Sequence, residues 1–135
     1  MPKYFVFDTN AFISAQLKEG SVSTQAFDKA VATGTIVCTS AILEEFAIRF
    51  IRKKFKRYMP DADRAEAIAR IRRTCLFIEP EVEITACRDP DDDKFLSVAV
   101  AVGASCIITG DGKLQELHPF RGIPILSPAD FLKVI

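Results

Sequence analysis

Lys3-Tyr4-Phe5-Val6-Phe7-Asp8 decides the fold. Its apolar core is β-branched and aromatic, the pattern of a short buried strand. The run ends abruptly on a carboxylate. A charge placed directly after a buried apolar strand is costly unless it is paired or holds a metal, so Asp8 marks both the end of a strand and a candidate site.

Working outward, the same pattern recurs and alternates with helical periodicity. A helix follows Asp8, and Ser21 or Ser23 caps another over 24–32, with Gly34 as its C-terminal stop. Residues 35–39 read as a second strand, and Ser40 is placed to cap a helix running through Ile42, Phe46 and Phe50. Asp61 or Asp63 opens a helix to Arg73. Residues 76–78 form a third strand, and 80–87 a connection. Asp91 or Asp92 begins a helix that Gly103 ends, 105–109 is a fourth strand, Gly110-Asp111-Gly112 a turn and 123–126 a fifth strand. Pro128 suits the first turn of a last helix over 129–134. Strands separated by helices call for parallel β-α-β units and an α/β sandwich with helices on both faces. There is no repeat, low-complexity tract or long linker, so residues 1–135 are expected to form one domain.

Composition narrows the chemistry. Across 135 residues, 18 Lys and Arg balance 18 Asp and Glu, which excludes a generally basic nucleic-acid binder and an acidic disordered tail. Apolar residues make up 49%, ordinary for a globular chain. No apolar run reaches the roughly 18–20 residues of a membrane span, and the N-terminus lacks signal-peptide architecture. A cytoplasmic protein without membrane association is expected. Cys38, Cys75, Cys87 and Cys106 form no Cys-x-x-Cys pair, and His118 is the single histidine, so zinc lacks ligands at usable spacing. Cys38 and Cys106 lie in apolar runs and read as buried reduced thiols. Nucleophilic triads are excluded unless His118 serves as the base. Any catalysis must come from carboxylates.

Those carboxylates share an edge. In open parallel sheets the functional crevice lies beyond the carboxyl ends of the strands. Asp8 follows the first strand directly and Asp111 lies two residues after the fourth, Asp89, Asp91, Asp92 and Asp93 stand at the start of the helix feeding the fourth strand, and Glu44 and Glu45 lie in the first turn or so of the helix after the second. Each group has an ordinary explanation as a helix cap, a turn residue or an exposed position. Four such groups on one edge argue for a shared purpose. Clustered carboxylates repel one another unless a cation neutralises them, and oxygen-only ligands favour Mg²⁺ or Mn²⁺. Such a site activates water for in-line attack on a phosphodiester.

Four segments in this order, Phe7-Asp8-Thr9-Asn10, Ser40-Ala41-Ile42-Leu43-Glu44-Glu45-Phe46, Arg88-Asp89-Pro90-Asp91-Asp92-Asp93-Lys94-Phe95-Leu96 and Ile108-Thr109-Gly110-Asp111, resemble the PIN-domain family of metal-dependent ribonucleases, which includes VapC-type toxins. The ending Ile125-Leu126-Ser127-Pro128-Ala129-Asp130-Phe131-Leu132 is similar to the branch described as toxin components. The resemblance spans nearly the whole chain. It implies a PIN-like α/β/α sandwich around a central, mainly parallel five-stranded sheet, and an endoribonuclease of a type II toxin-antitoxin pair, acting on RNA with Mg²⁺ or Mn²⁺. It also implies a cognate antitoxin and a homodimer.

The family's acidic quartet falls on Asp8, Glu45, Asp92 and Asp111, as both metal ligands and catalytic residues. Glu45 is preferred to Glu44 because it precedes the apolar Phe46, with Ser40 five residues upstream. Asp92 is chosen by anchoring on Ala99 and Gly103, with Asp93 and Asp89 as its neighbours. Thr9, Asn10, Ser40, Asp93 and Thr109 resemble polar residues that orient the carboxylates and water. Ser40 is equally explained as a plain helix cap.

Charge is unevenly spread behind the zero total. Residues 49–73 hold ten basic groups against Asp61, Asp63 and Glu66, a net of +7 that leaves −7 elsewhere. Arg49, Arg52, Lys53, Lys56 and Arg57 are the candidate RNA-binding residues; the plainer reading is a solvated helix face. Phe50 and Phe55 fit a core or partner-facing role better than base stacking. Three rival functions remain in view. A catalytically silent PIN module would bind RNA or a protein. A phosphotransfer domain using Asp8 as nucleophile would want a second acid where Asn10 stands, and a calcium loop would want glycine where Lys94 stands.

Overall fold

A computed structural model describes residues 2–17, 19–52 and 59–134. Lys53, Lys56 and Arg57 of the expected RNA-binding set, and Phe55, lie outside the described residues. Strand β1, Tyr4–Phe7, is buried over its last three residues and lies at the centre of a five-stranded sheet of order β3-β2-β1-β4-β5. The other strands are β2 (Thr35–Cys38), β3 (Leu76–Phe77), β4 (Cys106–Ile108) and β5 (Ile125–Leu126). Every strand pair is parallel, so the expected mainly parallel sheet is wholly parallel among the described residues.

Among the described residues seven α-helices accompany the strands, six between them and one after β5: α1 (Thr9–Leu17), α2 (Val22–Thr33), α3 (Ser40–Phe50), α4 (Asp61–Thr74), α5 (Asp93–Val102), α6 (Gly112–Gln115) and α7 (Pro128–Lys133). The chain steps outward from β1 through β2 to β3, then crosses back to β4 and β5. The direction of winding therefore reverses between β1 and β4. In such sheets the reversal point opens a crevice at the carboxyl ends of the strands.

Helix α5 packs on β1 and β4, and α3 packs against α1, α4 and α5. Between α1 and α3 lies a chain of rings: Phe7 stacks on Phe12 at 5.4 Å, Phe12 meets Phe46 edge-on at 6.0 Å, and Phe46 stacks on Phe50 at 5.0 Å. Each ring is at most 1% exposed. This aromatic spine fixes α3, and with it Glu45, relative to β1 and Asp8.

Local chemistry differs from the sequence reading at three points. Thr39, not Ser40, caps α3, its hydroxyl accepting from the Ile42 N–H at 3.1 Å. Ser40 is the first helical residue, and its N–H and hydroxyl both donate to Glu79 at 2.7 Å. Gly34 ends α2 with an extended backbone, φ −172°, rather than a left-handed one; glycine is needed because a Cβ there would lie 2.5 Å from the Lys3 carbonyl oxygen and 2.8 Å from the Phe5 ring. Asp111 is more than a turn residue, since it caps α6 through the Lys113 N–H at 2.9 Å. Gly103, by contrast, takes the left-handed cap expected of it, φ 62°. No helix among the described residues is long and apolar enough to cross a membrane.

Candidate functional site

Parallel pairing of β1 with β4 sets Phe7 beside Ile108, and the residues that follow inherit that adjacency. The Asp8 N–H donates to the Ile108 carbonyl at 3.1 Å. One carboxylate oxygen of Asp8 accepts from the Ala11 N–H at 2.8 Å, so Asp8 caps α1, and the other accepts from the Thr109 hydroxyl. Thr109 in turn accepts from the Asp111 N–H at 2.9 Å. One fully buried hydroxyl thereby links the acid after β1 to the acid after β4. Asp8 is 4% exposed. Burial pushes its carboxyl above the ordinary range against those two hydrogen bonds, and the charge of Asp111 pushes it further.

Asp92 closes a single 3-10 turn, Pro90–Asp92, just before α5. The turn is capped by Asp89, whose carboxylate accepts from the Asp91 N–H at 3.0 Å. Asp92 Oδ2 is buried without any hydrogen-bond partner. Its carboxyl is pushed up to about 6, first by burial and then by the charges of Asp111, Asp89 and Asp8. Asp8, Asp92 and Asp111 are thus within electrostatic reach of one another. Asp93 faces elsewhere: it accepts from the Ala86 and Cys87 N–H groups at 3.0 and 2.7 Å. Those bonds outweigh burial and hold it below the usual carboxylate range. It straps the 80–87 connection to α5.

Glu45 has a different environment. The Thr9 hydroxyl donates to Oε1, the Lys94 ammonium donates to Oε2 at 2.8 Å, and Arg49 lies 3.7 Å from Oε2. Burial opposes its charge, but the hydrogen bonds from Lys94 and Thr9, with the charges of Lys94 and Arg49, hold its carboxyl below the ordinary range. Glu44 is exposed. Asn10 accepts from Arg49 at 3.5 Å. Arg49 and Arg52 line a cavity of about 450 Å³ together with Glu44, Glu45 and Lys94. Ser40 donates to Glu79 instead of to the acidic set.

Lys94 is the site residue that sequence reasoning missed. Its only signal was a cation closing the acidic run Asp89 to Asp93. His118, the one potential imidazole base, spends Nδ1 accepting from the Ile125 N–H at 2.8 Å, a structural use.

Among the described residues no three Asp, Glu, Cys or His side chains are grouped closely enough to hold a metal ion as they stand. The oxygen donors nonetheless suit a hard cation that keeps much of its water. Asp92 carries an unpartnered buried oxygen, and Asp8, Asp92 and Asp111 repel one another in a way that a divalent ion would relieve.

A wholly parallel α/β sheet carries Asp8, Asp92 and Asp111 together at the edge where its winding reverses. The chain belongs to the PIN-domain family, whose model matches residues 4–113; members of that family are generally nucleases. Over 115 residues it is 32% identical to the uncharacterized protein MJ1680 of Methanocaldococcus jannaschii, a match covering 84% of this chain and 74% of that protein. Its fold is similar to that of VapBC2 from Rickettsia felis, crystallised with a DNA fragment from their promoter (TM-score 0.63, 12% identity, 90% of this chain and 96% of that one). It is also similar to PAE2754 from Pyrobaculum aerophilum (TM-score 0.62, 15% identity, 98% and 88%).

Proposed function

We propose that this protein is a Mg²⁺- or Mn²⁺-dependent endoribonuclease, residues 1–135 acting as one PIN unit, and the toxin of a toxin-antitoxin pair. The observation that carries the reading is the unpartnered Asp92 oxygen facing the charges of Asp8 and Asp111. Three mutually repelling carboxylates at a sheet's functional edge are a standing cost to the metal-free fold. A divalent ion relieves that cost, and when bound supplies charge stabilisation for attack on a phosphodiester.

The chain's own residues then divide the work. Asp8, Asp92 and Asp111 hold the ion, with Glu45 completing the acidic set. Thr109 fixes the orientation of Asp8 and ties it to the Asp111 backbone. One carboxylate of the acidic set assists deprotonation of the attacking water. No covalent intermediate is required. Arg49 and Arg52, beside the acidic set, supply positive charge for the RNA backbone. The likeness to VapBC2 supports a cognate antitoxin as partner, a homodimer fits the same reading, and the cytoplasm is the compartment where such a pair would act.

The test is cleavage of structured and single-stranded RNA with Mn²⁺ or Mg²⁺. Cleavage should stop under EDTA and fall at least about a hundredfold in Asp8→Asn. Cleavage that survives both would refute the reading. RNA binding without cleavage or metal uptake would favour the silent module instead.

A further inference from the structure

Lys94 is a cation built into an acidic site, and its hydrogen bonds say what it is for. Each oxygen of Glu45 already has a partner within the protein, Thr9 on Oε1 and Lys94 on Oε2 at 2.8 Å. Asp92, two residues before Lys94, has a buried oxygen with no partner at all. The demand for a cation is therefore concentrated at Asp8, Asp92 and Asp111, whereas the charge of Glu45 is already met from within the protein. Lys94 is itself held firmly. Besides Glu45 it donates to the Asp91 carbonyl, and its ammonium lies 4.9 Å from the centre of the Phe95 ring.

An ammonium carries three N–H donors, and the two bonds named leave one unassigned. The Lys94 side chain retains 22% of its exposure. It lies between two cavities of opposite character: the one of about 450 Å³ that it shares with Arg49 and Arg52, and one of about 390 Å³ whose lining includes Glu79, Glu83, Asp91 and Asp93. A nucleic-acid phosphate entering the cavity that holds Arg49 and Arg52 would meet this ammonium at its edge, while the carboxylates of the other cavity would turn the strand away.

Building on the ribonuclease reading, we propose that Lys94 is a phosphate-binding residue of the site and that Glu45 is its anchor rather than a metal ligand. One ion held by Asp8, Asp92 and Asp111 and the ammonium of Lys94 then face the same RNA phosphate. The metal and the substrate contact are separable, and so are their tests.

Mn²⁺ binding is measured by calorimetry without nucleic acid on the wild type, Glu45→Gln, Asp92→Asn and Lys94→Met. Binding of a short single-stranded RNA is measured in EDTA, where nothing is cleaved, across a salt series. Asp92→Asn should lose at least tenfold in Mn²⁺ affinity, while Glu45→Gln and Lys94→Met stay within about threefold of the wild type, each with one ion per chain. Lys94→Met should weaken RNA binding about fivefold or more and reduce the salt dependence by about one phosphate contact. Glu45→Gln should give a smaller loss of the same kind, because the ammonium is left unanchored. The proposal is overturned if Glu45→Gln loses Mn²⁺ as Asp92→Asn does, or if Lys94→Met leaves RNA affinity and salt slope unchanged. A wild type that binds neither Mn²⁺ nor RNA would overturn the ribonuclease reading as well. Failure of the variants alone overturns only the assignment of Lys94.

Discussion

The two sides of the acidic edge meet the same electrostatic problem in opposite ways. On the α3 side, Glu45 is half-buried yet has a partner on each oxygen, Thr9 and Lys94, with Arg49 nearby. On the α5 side, Asp92 is comparably placed in depth yet has a buried oxygen that nothing satisfies, and like charges surround it. Burial penalises both carboxylates; what separates them is whether the chain supplies hydrogen bonds and a counter-charge. The fold had the means to neutralise Asp92 and did not. Local rules broken without compensation inside the protein mark places where function sets the residue, and here the missing partner is external.

The strongest way to break this comparison is Asp92→Asn. RNA cleavage should fall by at least about a hundredfold, while the metal-free protein should melt slightly higher, by a few degrees at most given the partial exposure of the site. Lower activity together with a lower melting temperature would mean that Asp92 is a structural residue.

Next in size is Thr9→Val, which removes the hydroxyl on Glu45 while keeping the shape. Loss of a hydrogen bond to a charged group from a residue 1% exposed should cost about 1–2 kcal/mol in urea unfolding. No loss would show that Lys94 alone secures Glu45.

The smallest effect is in the pH profile. The carboxyl of Asp92 sits at about 6 in the fold against 3.8 ordinarily. The native state therefore binds the extra proton, and this group's stabilising contribution is complete below about 3.8 and lost as pH rises through 6. The stability advantage of Asp92→Asn in the metal-free protein should accordingly be largest above pH 6 and vanish by about pH 4. An advantage that is constant with pH would place its origin elsewhere.

Much of this was legible from the chain alone, for definite reasons. Buried apolar runs such as Tyr4–Phe7 have few alternatives, and each ended at a punctuation mark that the structure uses: Asp8 after β1, Gly103 after α5, Pro128 at the start of α7. What escaped depends on partners distant in sequence. Thr39 and Ser40 are equally good caps by type, and Glu79 decides between them by binding Ser40 from across the sheet. Gly34 reads as a helix stop, but the Lys3 backbone is what demands it. Asp92 and Asp93 are identical by type, and the Ala86 and Cys87 amides settle which of them is structural. The pairing of Lys94 with Glu45 spans 49 positions, beyond the reach of any local pattern.

The position of β4 at the side of β1 also governs when the site comes into being. The Thr109 hydroxyl that orients Asp8 lies 101 residues further along the chain. The strand that leads to it cannot reach β1 until those residues have been made, while synthesis delivers the N-terminal elements first. A nascent chain thus holds Asp8 and Glu45 long before Asp92 and Asp111 arrive. The acidic set can be assembled only after residue 111 has been made, and every nascent chain shorter than that lacks it.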